Sequence, residues 1–295
     1  MCSNASSTFV TSDKSSSNSL PIAVLHARLG HTSVSKMQHI LVCKHFLPKS
    51  FFCDTCMMAQ FTRLPFNKSS NKTTFCFQLV HMDVWGPYRI VNLDDAHCFL
   101  TLVDEFSRST WTYLLRSKAQ VPSIFIQFYH MVSTHFSKKL ASLRSDNGME
   151  FINSSCGQFF ADNGILHQKS VVKTPQQSGV VERKHRYLLD TARALGFQAG
   201  FPKSFWGECI LSATHLVKKL PMENLGWKSP FKILHGSCPS YEELRTISCL
   251  CFAKNTTIQD KFDSRARKCV LLGYLFGIKG YKLYNLEHKK FFLQP

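Results

Sequence analysis

The chain has 295 residues, with 36 Lys and Arg against 19 Asp and Glu, a formal charge of +17 and an isoelectric point near 9.5. At about 100–200 residues per domain this length predicts two domains with room for a small third, and a 44% hydrophobic fraction excludes wholesale disorder. So basic a chain calls for a polyanionic partner, nucleic acid first and an anionic membrane surface second.

In chain order, residues 1–19 are rich in Ser and Asn, with neither a basic n-region nor an apolar h-region, and read as a disordered lead without an export signal. Residues 20–66 are dense in His and Cys, and the polar stretch 67–74 reads as a linker. From Phe75 the texture turns to short β-type runs, FCFQLVHMDVW (75–85), CFLTLVDEF (98–106) and TWTYLL (110–115), close enough to form an antiparallel meander. Pro122 fits the first turn of a helix, with Ile124, Phe125, Phe128, Val132 and Phe136 at helical spacing. A strand is expected over LASLRSD (140–146), then a short helix around 155–162, a strand near 166–171 and a polar loop over 173–179.

A long helix follows, in which Val181, Leu188, Ala192 and Leu195 form one stripe and Glu182, Lys184 and Arg186 lie off it, facing solvent or a ligand. A further helix is expected over 203–219, stopped by Pro221. The last fifty residues carry CLCFA, KCVLLGY, YKLYNL and KKFFL, with Gly273, Gly277 and Gly280 as turn points, a small all-β unit. The longest uncharged run, 119–137, is broken by Pro122, Gln127 and His130, which argues against a membrane span. The 12 cysteines are irregularly spaced and read as reduced. This order of elements predicts an α/β, ribonuclease H-like mixed sheet core with trailing helices (75–240), preceded by a His- and Cys-rich helical unit (20–66) and followed by a small β region (248–295).

Three carboxylates stand where strand or helix ends could present them: Asp83 on the first core strand, Asp146 at the end of the fourth and Glu182 opening the long helix. Each alone reads equally as a solvated carboxylate or a helix cap. Together they read differently, because the 35 residues between Asp146 and Glu182 are enough to return the chain from strand end to helix start. Convergent carboxylates repel one another unless they share a hard divalent cation, Mg²⁺ or Mn²⁺, and two such ions can serve an in-line phosphodiester displacement. Arg183, Lys184, His185 and Arg186 beside Glu182 are candidate phosphate contacts or simply a solvated face.

His26 and His31 enclose four residues, Cys53 and Cys56 enclose two, and 21 residues separate the pairs. That is zinc-ligand spacing, and a closed tetrahedral site suits a unit too small for a sufficient core of its own. A redox C-x-x-C would call for a βαβ setting, which is lacking here. Cys43, His39 and His45 remain rival ligands.

With these residues in place, the chain resembles the integrase of copia-type long-terminal-repeat retrotransposons. LHARLGH (25–31) and CDTC (53–56) resemble its zinc-binding pre-integrase segment. LVHMDVWGP (79–87), LTLVDEFSRSTWTYLL (100–115), LRSDNGMEF (143–151) and TPQQSGVVERKHR (174–186) resemble its catalytic core, and FWGECILSATHLVKKLP (205–221), SPFKILHG (229–236) and KFDSRARKCVLLGY (261–274) resemble segments after the core. The chain departs from the family pattern at Leu25, at Met149 and at AHC (96–98).

The resemblance implies a polynucleotidyl transferase that trims element DNA ends and joins their 3′ hydroxyls to target DNA. It implies Asp83, Asp146 and Glu182 as magnesium (or manganese) ligands and His26, His31, Cys53 and Cys56 as zinc ligands, while Arg183, Lys184 and Arg186, clustered beside Glu182, are the expected DNA contacts. DNA is the expected partner, a homo-oligomer the active species and the nucleus the expected location, with RARK (265–268) as a short basic cluster. The chain reads as a piece of a longer polyprotein. Two alternatives stay open: a DNA-binding remnant without an assembled metal site, and a nuclease of the same fold that only hydrolyses DNA.

Overall fold

The computed structural model describes residues 22–40, 52–60, 73–146, 148, 151, 154–169, 179–255, 260–274, 280–287 and 291–294. The lead over 1–19, the linker over 67–72, Cys43, His45, Met149, Gly277 and the loop over 173–178 lie outside them. The chain divides into two units, 1–69 and 70–295. In the first, three short helices are described, α1 (Ile22–Arg28), α2 (Val34–Met37) and α3 (Asp54–Gln60).

The second unit is built on a five-stranded sheet of order β3-β2-β1-β4-β5, from β1 (Leu79–Trp85), β2 (Cys98–Asp104), β3 (Thr110–Leu115), β4 (Ser142–Ser145) and β5 (Leu166–Lys169). The first three strands form the antiparallel meander, and β4 and β5 add in parallel. The crossovers are α4 (Val121–Phe136), which carries its Pro in the first turn, and α5 (Ser154–Asp162).

Strand periodicity sorts the two faces of β1. Val80 and Met82 join Leu100, Leu102, Phe125, Phe128 and Val132 in the larger core, beneath α4. On the opposite face Trp85 and Phe99 pack with Leu188, Ala192, Cys209 and Ile210 of α6 (Gly179–Ala199) and α7 (Trp206–Lys219). His81, Asp83 and Trp85 therefore share the α6 face. The β2–β3 turn is held by Asp104, whose buried carboxylate accepts the Phe77 N–H at 2.7 Å, the Ser107 N–H at 2.9 Å and the Ser107 hydroxyl at 2.6 Å.

After α8 (Pro230–His235) comes an antiparallel sheet of β6 (Leu250–Lys254), β7 (Ala266–Tyr274), β8 (Tyr281–Asn285) and β9 (Phe291–Gln294). It packs against α7 through β7. Gly273, expected at a turn, instead lies inside β7 at an irregularity of the β7–β8 register. A Cβ there would fall 2.2 Å from Ser212 Oγ on α7, so close packing and not a turn is what requires glycine. Among the described residues no helix is long and apolar enough to cross a membrane, and the described cysteines are free thiols.

Candidate active site

β1 and β4 are paired in parallel with Leu79 opposite Ser142, Val80 opposite Leu143 and His81 opposite Arg144. Carried two residues further, the same register sets Asp83 opposite Asp146, the first residue beyond β4. Adjacent strands lie about 4.8 Å apart and opposed residues share a face, so a ladder continued past its last pair, His81 and Arg144, would direct both carboxylates to the α6 face. The row before them is locked: the Arg144 guanidinium donates to Gln168 Oε1 on β5 at 3.1 Å, and His81 Nε2 lies 3.1 Å from Glu105 Oε2. Ser145 Oγ and His167 Nε2 are 2.8 Å apart, tying β4 to β5 beside Asp146.

Glu182 occupies the first turn of α6 and is exposed. One turn on, His185 Nδ1 lies 3.6 Å from Asp83 Oδ2, and its ring stands edge-on to Phe99 at 5.4 Å. The start of α6 is thereby brought to the Asp83 end of the sheet. Asp83 Oδ1 accepts the Val84 N–H at 2.8 Å and Asp146 Oδ1 the Gly148 N–H at 3.0 Å. An all-oxygen set of two aspartates and an exposed glutamate has the donor chemistry for a hard divalent cation. The three do not converge to metal-binding distance: among the described residues, the one group of three or more His, Cys, Asp or Glu that does is the zinc-type set below.

Of the basic residues beside Glu182, Arg183 and Arg186 are exposed, as expected. Lys184 is not: it is 6% exposed, and its ammonium has no hydrogen-bond partner among the described residues. Burial, with the Arg108 charge adding, pushes its pKa down to about 8. His185 is buried too, and burial pushes its pKa down to about 4, so it stands neutral beside Asp83 at pH 7. Lys184 is corrected from a solvent-facing contact to a residue of the helix–sheet interface. The stripe Val181–Leu188–Ala192 implied as much, since positions 184 and 185 fall on it at i+3 and i+4.

In the first unit the ligand atoms of His26, His31, Cys53 and Cys56 all lie within 4.8 Å of one another. His26 Nε2 is 3.0 Å from Cys56 Sγ, and His31 Nδ1 is 3.4 Å from Cys53 Sγ and 3.7 Å from Cys56 Sγ. Zn–S and Zn–N bonds of about 2.3 and 2.1 Å at tetrahedral angles demand ligand–ligand edges of about 3.4–3.8 Å, so this N₂S₂ set has the donor chemistry for that ion and would close on it with shifts of up to about 1 Å. The Cys53 thiol is held below its ordinary pKa, chiefly by the backbone N–H of Cys56, whereas burial and the neighbouring Cys53 raise Cys56, so Cys53 is the readier thiolate of the pair.

A residue group without a site assignment from sequence lies two positions beyond Asp83. Trp85, Tyr88 and Trp206 stand with ring centroids about 6 Å apart, the Trp206 Nε1–H donating to the Ile90 carbonyl at 2.9 Å. They line a cavity of about 420 Å³ between the end of β1, α6 and α7. The spacing of Trp85 from Asp83 on one strand was a usable signal, because period-2 alternation sets both on one face.

Comparison with known proteins agrees with this architecture. Residues 76–175 match the family described as "Integrase core domain", and residues 249–294 match "Retroviral polymerase SH3-like domain". The chain is 32% identical over 275 residues to the "Retrovirus-related Pol polyprotein from transposon RE1" of Arabidopsis thaliana, covering 91% of this chain and 18% of that one. It is 32% identical over 277 residues to the corresponding polyprotein "from transposon TNT 1-94" of Nicotiana tabacum, covering 92% and 21%. The chain thus spans about a fifth of the length of these curated relatives. In fold it resembles a chain in the cryoEM structure of the simian T-cell lymphotropic virus intasome in complex with PP2A regulatory subunit B56 gamma, with a TM-score of 0.53, 15% identity and coverage of 92% of this chain and 95% of that one.

Proposed function

Because this chain carries an integrase core domain and has plant Retrovirus-related Pol polyproteins as its homologues, we propose that it is a copia-type, metal-dependent polynucleotidyl transferase that trims DNA ends and joins them to target DNA. The observation that supports this reading is the parallel pairing of β1 with β4, which ends at His81 and Arg144 two residues short of Asp83 and Asp146, with the Glu182 turn of α6 brought to Asp83 through His185.

On this reading Asp83, Asp146 and Glu182 hold Mg²⁺ or Mn²⁺. Such ions, held by these three carboxylates, would supply activation of the attacking oxygen and stabilisation of the leaving oxygen in an in-line displacement at phosphorus. The chain's own residues position the reaction. The β1–β4 pairing that ends just before the two aspartates positions their strand ends, and Arg183 and Arg186 on the exposed side of α6 grip phosphates, supplying affinity without sequence readout. The attacking oxygen is that of water in end trimming and of a 3′ hydroxyl in joining. His26, His31, Cys53 and Cys56 hold zinc and so define the first unit. The active species is a homo-oligomer on DNA, since joining two ends to one target needs two active sites, and its place of action is the nucleus.

A second reading, a DNA-binding remnant, is favoured by one observation: the three carboxylates do not close to metal-binding distance. Both readings meet in one experiment, strand transfer and cleavage on a labelled duplex in Mg²⁺ and in Mn²⁺, with Glu182→Gln alongside. Joined products that vanish in Glu182→Gln support the transferase. Cleavage without joining reduces it to a nuclease. Salt-sensitive DNA binding by folded, zinc-loaded protein without Glu182-dependent chemistry leaves the remnant.

A further inference from the structure

The cavity between β1, α6 and α7 has the composition of a ligand site. Its volume of about 420 Å³ falls within the usual range for small-ligand pockets, and its walls are mostly apolar. Three aromatic rings form one side. Trp85 is stacked on Phe99 at 5.1 Å and 23°, which fixes the indole, and Trp206 is fixed by its bond to Ile90. Phe197, 83% exposed, lines the cavity and extends the aromatic surface to solvent.

The charged residues lining the cavity, Arg193 and Lys203, are both cationic. Arg193 shares its charge with Asp190, a residue of α6 outside the lining, whereas Lys203 has no such carboxylate partner among the described residues. A wholly apolar partner helix would leave these cations without a counterpart. Flat apolar walls with cations and no acid instead match a nucleotide, with the base against the rings and the phosphates toward the cations.

Position supplies the connection to chemistry. Trp85 follows Asp83 by two residues on one strand, so the two share a face about 7 Å apart along β1. That is the length of about two stacked nucleotides. Taking the chain to act on DNA, as proposed above, we infer that this cavity takes an unstacked base of single-stranded DNA beside the scissile region. Stacking on aromatic rings accepts any base face, so the site tolerates any sequence.

The test uses the full chain and a single-stranded oligonucleotide carrying 2-aminopurine. Binding with quenched 2-aminopurine fluorescence, weakened about tenfold by Phe197→Ala and by a smaller factor by Lys203→Ala, is the expected result. Both residues are exposed, so neither substitution threatens the fold. A Trp206→Leu chain that still folds loses the quenching. No binding to the single strand, binding without quenching, or quenching indifferent to Phe197 overturns the inference. So does a concentration-dependent dimer, seen by light scattering, that Phe197→Ala dissolves while single-strand binding is unchanged. Glu182-dependent reaction of the unsubstituted chain on a blunt duplex reports on the transferase reading separately.

Discussion

Lys282 of β8 reaches across to Glu208 of α7, with Nζ 2.7 Å from Oε1, and joins the C-terminal sheet to the core. Glu208 is 3% exposed, and burial raises its pKa even though the lysine beside it pulls the other way.

Lys282→Ala leaves that carboxylate buried without its cation and costs about 3 kcal/mol in urea unfolding at pH 8. The sign of the pH dependence follows from the raised pKa. A folded state that holds the Glu208 proton more tightly than the unfolded chain gains stability below the unfolded pKa and loses it as pH rises through the folded one. The deficit of the variant is therefore smaller at pH 5 than at pH 8, and Glu208→Gln in the same chain recovers part of it. A deficit independent of pH would show that Lys282 acts by packing alone.

Lys184 is a buried ammonium with no hydrogen-bond partner among the described residues. Its replacement by Met removes a poorly solvated charge while keeping most of the stem volume, and should raise stability by about 1–3 kcal/mol at pH 7. Denaturant midpoints of the two proteins decide this, and a destabilised variant would mean that the amine meets a compensating group.

His215 stacks on Tyr274 at 4.3 Å and 12° between ring planes. Burial, with Lys219 and Lys218 adding, pushes its pKa down to about 4 from the ordinary 6.5. Between those values the unfolded chain takes up a proton that the folded chain refuses, so stability is full above pH 6.5 and falls as pH drops toward 4. After allowance for the partly exposed ring the loss is about 1–2 kcal/mol. His215→Gln should flatten that limb of the stability–pH curve, and an unchanged slope would assign acid sensitivity to other groups.

The full chain should carry about one zinc ion, measured by plasma mass spectrometry after dialysis, with Cys56→Ser and His26→Ala each lowering the occupancy. Chelation should unfold the first unit, seen as loss of helical circular dichroism that added zinc restores. Metal retained at the same occupancy in both variants would move the site elsewhere.

Much of this fold was legible because the elements obey their periods. The runs ending in Trp85, Phe106 and Leu115 became the antiparallel meander, Pro122 opened α4, and the four C-terminal β segments formed one sheet. What misled was residue chemistry overriding geometry. Lys184 and His185 occupy the inward stripe of α6, but a lysine and a histidine beside two arginines read as a solvated face. Gly273 read as a turn because glycine breaks strands, whereas its role is set by Ser212, 61 positions earlier, a contact that local sequence does not encode. Of the candidate site, the residue types were visible and the strand register was not, since pairing of β1 with β4 depends on partners about sixty residues apart.

That register also governs how the site tolerates change. Asp83 and Asp146 each lie two positions beyond the last pair of the β1–β4 ladder, His81 and Arg144, and that ladder, not the length of chain between them, sets their approach. Insertions in the β1–β2 connection or before β4 would lengthen the protein without parting the pair. A slip of β4 by a single residue would instead swing Asp146 to the α4 face, buried in the larger core and out of reach of its neighbour. Natural variation should therefore accumulate in loop length here, while the hydrogen-bonded ladder admits almost none.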